Sequence, residues 1–166
     1  MLKFITGLVI GLVVFPLSAY LYFRSGNVPV ATSEPPMLFE RSLARAALHA
    51  RINREMSASA PIAADEGNMI AGAGIYRVNC AFCHGLPDQP ANASAKGMFP
   101  KPPQLFVKMV TGDPVGETYW KVSHGIRLTG MPGYETALST EQMWQVSLLL
   151  ANADKLSPAT RAELKQ

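Results

Sequence analysis

Both cysteines of the chain fall in one short stretch, in which Cys80 and Cys83 are separated by two residues and His84 follows directly. This is the spacing of a c-type haem attachment site. Two thiols at this distance can reach the two vinyl groups of one porphyrin, while the adjacent imidazole can bind the iron from one face. The stretch therefore predicts one covalent haem c, with His84 as the proximal ligand.

Two other kinds of site use the same residue types. A Cys-x-x-Cys pair can form a redox disulfide of the thioredoxin kind, but that motif usually opens a helix in a strand–helix–strand unit, and no such unit is predicted here. A tetrahedral zinc site could combine Cys80, Cys83, His84 and His124. Adjacent Cys83 and His84 are poor joint ligands, so the haem interpretation is favoured over both.

The residues around the cysteines resemble a known family. The shared residues are Gly72, Tyr76, Cys80, Cys83, His84, Gly85, Thr129, Gly130, Met131, Pro132 and Trp144. In this order and spacing they are similar to the small class I cytochromes c, over about residues 65–152. The resemblance implies an all-α fold with few helices and long loops around one haem, and electron transfer rather than catalysis. It also implies that Met131 is the second axial ligand.

The loop at residues 125–133 suits a ligand that must reach across to an iron, because Gly130, Pro132 and Gly133 around Met131 allow a sharp turn. A six-coordinate iron between His84 and Met131 would serve electron transfer.

Other side chains compete for the second position. Met98 and Met109 are the competing thioethers, and His124 is the alternative nitrogen ligand. If Met131 did not bind, the distal position would be open. The alternative function is therefore a haem enzyme or a gas sensor.

Apolar residues at helical spacing predict the elements that hold the site. The main helices are expected at about residues 66–79, 115–125 and 141–152, and shorter ones at 105–110 and after Ser157. Gly72 leaves a notch for a second helix, with Trp144 as the expected contact. Ser139 and Gln142 form a capping-box signature for the last main helix.

The proline-rich stretch 86–104 is expected to wrap the haem edge, since its five prolines prevent regular structure. Trp120 and Val122 are candidates for the haem pocket. The resemblance further implies that Trp120, Lys121 and Arg127 lie near the haem propionates.

Residues 2–23 are apolar except for Lys3, Thr6 and Ser18. As a helix they would be about 33 Å long, enough to cross a hydrocarbon core of about 30 Å. An uncleaved anchor is favoured over a cleaved signal peptide, because the apolar run continues through three aromatic residues before Arg24. With the family resemblance, this predicts a single-pass protein of the bacterial inner membrane whose haem domain faces the periplasm.

The sequence thus predicts four parts. They are a membrane anchor at 1–24, a linker with an amphipathic helix at 25–64, a haem domain at 65–152 and a tail at 153–166. The amphipathic helix, at about 37–56, is expected to pack on the haem domain; alternatively, its arginines would contact anionic lipid or a partner.

The distribution of charge limits the classes of function that this chain can have. The whole chain carries a net charge of +3, but residues 65–152 carry six basic and seven acidic side chains, a net charge of −1. Nucleic-acid binding, which needs a basic stripe, is therefore not predicted. The predicted function is transfer of single electrons between respiratory or dehydrogenase partners, by a free carrier or by a subunit of a larger redox complex.

Overall fold

The computed structural model describes residues 1–108 and 110–166. Within these residues the secondary structure is helical, without a β-strand, as the sequence predicts. The helices are α1 (Leu2–Arg24), α2 (Glu40–Glu55), α3 (Glu66–Asn79), α4 (Ala81–His84), α5 (Ala93–Lys96), α6 (Val115–His124), α7 (Thr140–Ala151) and α8 (Pro158–Glu163). The chain divides into two compact units, Met1–Arg41 and Ser42–Gln166.

The first unit is built on α1, whose apolar side chains are exposed along its whole length. In the part of the chain that the structure describes, α1 is the one helix long and apolar enough to cross a membrane. Exposure of so many large apolar side chains to water would be costly, which is compatible with insertion of α1 into a bilayer.

The centre of the second unit is the packing of α3 against α7. Gly72 lies at a close approach of the two helices, since a Cβ there would fall on the backbone carbonyl oxygen of Gln145. The predicted notch is therefore used, but the atoms nearest to it belong to Gln145 and Leu149 and not to the expected Trp144. Trp144 instead stacks on Tyr119 of α6, with ring centroids 4.0 Å apart and planes 13° apart. The one-residue difference follows from helix periodicity, because neighbouring residues point about 100° apart.

The short C-terminal helix α8 completes the core against α3. Leu164, directly after α8, is fully buried in the same apolar cluster as Tyr76 and Leu149. Arg77 of α3 pairs with Glu163 of α8 at 3.2 Å. The chain after residue 152 thus contributes to the core of this unit.

Local capping signals correctly predict where the helices begin. Ser139 and Gln142 form both hydrogen bonds of a capping box at α7. Ser157 caps α8, with Pro158 at its first position. The short helix expected at 105–110 is wrong over its described part: residues 105–107 form a turn, and Met109 lies outside the described residues. A single turn between prolines upstream and Gly112–Pro114 downstream has too few residues to continue as a helix.

The amphipathic helix predicted at 37–56 is α2, but its apolar residues are covered only towards its end. Leu43 is 68% exposed, Leu48 is half-buried and Ile52 is 1% exposed. Spacing predicts which residues share a helix face, but it does not predict how far along the helix that face is covered.

Candidate functional site

The two cysteines and His84 are held together by the end of α3 and the single turn of α4. Cys80 ends α3 and begins α4, and its carbonyl oxygen accepts from the His84 amide at 2.9 Å. Positions three and four residues apart lie on one side of a helical turn. The turn therefore presents Cys80, Cys83 and His84 to the same side.

That side forms part of the wall of a cavity of about 260 Å³ in the second unit. Cys80, Cys83, His84 and Met131 all line it. Met131 is 47 positions after His84, so its presence results from the tertiary fold. The structure thus brings together all four residues that the sequence predicts for the site.

The remaining walls of the cavity are mainly apolar. The apolar lining residues are Leu48, Pro100, Pro102, Pro103, Leu105, Val110, Val122, Ile126, Pro132, Val146 and Leu150. Lys101, Lys121 and Asp113 add charges to the lining, and Lys121 is paired with Glu117. An apolar cleft with a few charged side chains fits a flat, hydrophobic macrocycle that carries acidic substituents.

A hydrogen bond fixes the chemical form of His84. Its Nδ1 lies 2.8 Å from the backbone carbonyl oxygen of Pro103, and because a carbonyl only accepts, Nδ1 must carry the proton. Burial lowers the pKa of His84, although the bond to Pro103 opposes this shift. The ring is therefore neutral at neutral pH, and Nε2 keeps the lone pair that a metal needs.

Cys80 and Cys83 are not joined by a disulfide bond. Burial raises the pKa of Cys80 to about 12, and the neighbouring Cys83 adds to this shift. A thioredoxin-like nucleophile requires a lowered pKa, so this environment argues against that alternative. Across residues 1–108 and 110–166 no three His, Cys, Asp or Glu side chains are grouped to hold a metal ion, which argues against the zinc site.

Hydrogen bonds within the loop determine the backbone conformation at Met131. The Ile126 amide donates to the Met131 carbonyl oxygen at 3.1 Å. The Thr129 hydroxyl donates to the Ile126 carbonyl oxygen at 2.7 Å and accepts from the Met131 amide at 3.1 Å. The six-residue loop Ile126–Met131 is thereby closed on itself beside the cavity.

Comparison with known proteins agrees with this geometry. Residues 67–148 match the family described as "Cytochrome C oxidase, cbb3-type, subunit III". The chain contains a c-type cytochrome domain. No curated protein and no solved structure matches the chain. A domain of this family implies covalently bound haem c and a role in electron transfer, and the donor set around the cavity fits that group.

Several residues predicted to lie near the haem of the cytochrome domain are outside the cavity wall. Trp120 stacks on His124, with ring centroids 4.6 Å apart, and His124 Nδ1 lies 3.1 Å from the Trp120 carbonyl oxygen. Neither ring lines the cavity, nor does Arg127, whereas Lys121 and Val122 do. The three residues Trp120, Lys121 and Val122 are consecutive on α6, so only part of the run can face one side.

Met98 and Met109 compete with Met131 as the predicted second ligand of the iron. The Met98 thioether lies against Gly130, since a Cβ at Gly130 would be 2.8 Å from Met98 Sδ, but Met98 does not line the cavity. Met109 lies outside the described residues. Met131 is therefore the methionine that the described structure brings to the cytochrome cavity.

Three further residues of the lining are not predicted individually, although the stretch that contains Lys101 is expected at the haem edge. Leu48 comes from α2, Lys101 comes from the proline-rich stretch, and Tyr134 follows the methionine loop. The Tyr134 hydroxyl donates to the Asn79 carbonyl oxygen at 2.8 Å and so connects this loop to the end of α3. None of them belongs to a motif, and only the tertiary fold reveals their position.

Proposed function

We propose that this protein is a membrane-anchored cytochrome c with one haem, which transfers single electrons between redox partners. The observation that supports it is the single cavity lined by both cysteines, His84 and Met131. These residue types form the donor set of a six-coordinate c-type haem.

Each of the four residues has a distinct role in this proposal. Cys80 and Cys83 would form the two thioether bonds that keep the cofactor in a small domain. His84 would bind the iron through Nε2, because Nδ1 donates to Pro103. Met131 would supply its sulfur as a further ligand, from a loop that the Thr129 hydroxyl holds closed.

When bound, haem c supplies a reversible one-electron iron couple. With His84 and Met131 both bound to the iron, substrate and oxygen would have no open site. The thioether of Met131 would raise the reduction potential, as methionine ligation does in cytochromes c. Electron transfer of this kind makes and breaks no bond, so the chain needs no acid, base or nucleophile for this function.

The membrane context is proposed from α1. Residues 2–23 would anchor the protein in a bacterial inner membrane by a single pass, and the haem domain would face the periplasm. The partners would be respiratory or dehydrogenase proteins. The matched family is described as an oxidase subunit, which supports membership of a larger membrane complex. Purification in mild detergent tests this point: a partner retained through chromatography supports a subunit, and an isolated chain supports a free carrier.

The ligand assignment is tested with Met131→Ala, using Met98→Ala as the matched control. Met98 packs against Gly130, the residue before Met131, but of these two methionines only Met131 lines the cavity. The first variant should lose the far-red sulfur-to-iron band of the ferric protein and have a lower reduction potential, while the second should keep both. Retention of the band in Met131→Ala, or its loss in Met98→Ala, would show that the assignment is wrong. The intact mass of the wild type should exceed that of the polypeptide by one haem.

A further inference from the structure

Helix α2 precedes the segment that matches the cytochrome family, yet from residue 42 onwards it belongs to the same unit as the cavity. Leu48 lines the cavity, and Ile52, one turn later, is 1% exposed. Leu43, more than one turn earlier, is 68% exposed. The helix is therefore packed from Leu48 onwards.

Side-chain and backbone contacts hold this end of α2 against α6. Trp120 Nε1 donates to Glu55 Oε2 at 3.2 Å, and Arg51 Nε lies 2.7 Å from the same oxygen. Directly after α2, the Ser57 carbonyl oxygen lies against Gly116, where no space remains for a Cβ. Because α6 itself contributes three residues to the cavity wall, these contacts place α2 beside the cavity.

We propose that α2 is a cover for the haem cleft, in which Leu48 shields the cofactor from water and the Glu55–Trp120 and Ser57–Gly116 contacts hold the helix in place. This inference rests on the proposed function, because it requires the haem to occupy the cavity. It assigns a role in setting the reduction potential to a segment outside the family match.

The direction of the effect follows from solvation of charge. The oxidised iron centre carries one more positive charge than the reduced centre, and water stabilises the more highly charged form. An apolar side chain that excludes water therefore favours the reduced form and raises the reduction potential. Removal of the Leu48 side chain should lower it.

The first test compares Leu48→Ala with Leu43→Ala, a matched loss of the same side chain from an exposed position of the same helix. Leu48→Ala should lower the midpoint potential of the holoprotein, while Leu43→Ala should leave it at the wild-type value. Equal potentials for Leu48→Ala and the wild type, with haem content and the far-red band unchanged, would overturn the inference and leave the proposed function intact. Absence of covalent haem from the wild type would overturn the proposed function itself.

The second test disturbs the contact that holds the helix, at a residue that does not itself line the cavity. In Gly116→Ala the new methyl group must displace Ser57, whereas in Gly112→Ala, the control, it meets nothing within 4 Å. Amide exchange of residues 48–57 in the holoprotein should become roughly tenfold faster in Gly116→Ala, and the midpoint potential should fall. Trp120→Phe, which removes the indole donor to Glu55 and part of the ring that stacks on His124, should accelerate exchange in the same segment. If residues 48–57 already exchange like an open linker in the wild type, α2 is not a cover.

Discussion

The hydrogen bond between Tyr76 and the residue after the haem motif can be removed without changing the shape of the core. The Tyr76 side chain is fully buried, and its hydroxyl donates to the Gly85 carbonyl oxygen at 2.8 Å. Burial raises the pKa of this phenol, so it remains a donor at neutral pH. Tyr76→Phe keeps the ring and its edge contact with Phe106, at 5.1 Å between centroids.

The expected cost comes from the carbonyl group that is left behind. Gly85 is buried, and within the described chain its carbonyl oxygen has no other hydrogen-bond donor. A buried acceptor without a partner costs about 1–3 kcal/mol of unfolding free energy. The second unit has about 125 residues, for which the unfolding entropy is about 0.26 kcal/mol per kelvin. The midpoint of thermal unfolding should therefore fall by about 4 to 11 °C.

The assay is thermal and urea unfolding of the holoprotein, followed by circular dichroism. Tyr119→Phe is the matched control, because its ring stacks on Trp144 and the described residues offer its hydroxyl no hydrogen-bond partner. The control should unfold within about 0.5 kcal/mol of the wild type. If Tyr76→Phe were as stable as Tyr119→Phe, the hydrogen bond to Gly85 would not stabilise the end of the haem motif.

Three further predictions concern the packing and charges of the second unit. Gly72→Ala should lower the unfolding free energy by about 1–2 kcal/mol in urea titrations, because the cost of overpacking against Gln145 exceeds the gain in helix propensity. Gly74→Ala is the control: its new methyl group meets only the flexible Glu163 carboxylate, so this variant should not be destabilised. Leu164→Ala should cost about 2–5 kcal/mol, since Leu164 is fully buried, whereas exposed Gln166→Ala should be neutral. Lys165 Nζ lies 2.9 Å from Asp88 Oδ2, and this hydrogen bond holds the pKa of Asp88 below its usual 3.8. The contribution of the pair to stability is therefore present above pH 3.8 and is lost as the pH falls through the lowered pKa. An NMR titration of the reduced protein should show this low midpoint and a higher midpoint in Lys165→Gln. Equal midpoints would contradict the pairing.

Local signals in the sequence predict much of the cytochrome domain. The capping residues Ser139 and Ser157 form hydrogen bonds within a few positions of themselves, so the sequence alone predicts them. The haem motif is equally local, because one helical turn carries Cys80, Cys83 and His84. The role of Met131 could not be predicted from local signals alone. It came from a family resemblance, and the presence of Met131 at the cavity depends on a loop 47 residues after His84.

What the sequence does not predict depends on contacts between distant elements. Trp144 and Gln145 differ by one position, yet only the packing of α7 decides which of them approaches Gly72 and which stacks on Tyr119. Leu48 resembles the other apolar residues of α2, and its place in the cavity depends on the contacts of Glu55 and Trp120, 65 residues apart.

The most direct test of the central claim is an optical spectrum of the purified wild-type protein in both oxidation states, before and after addition of carbon monoxide. A six-coordinate haem with His84 and Met131 as axial ligands predicts low-spin spectra, a far-red sulfur-to-iron band in the ferric form and no rapid carbon monoxide binding by the reduced form. A high-spin spectrum without that band, together with rapid carbon monoxide binding, would contradict the electron carrier and indicate an open distal site.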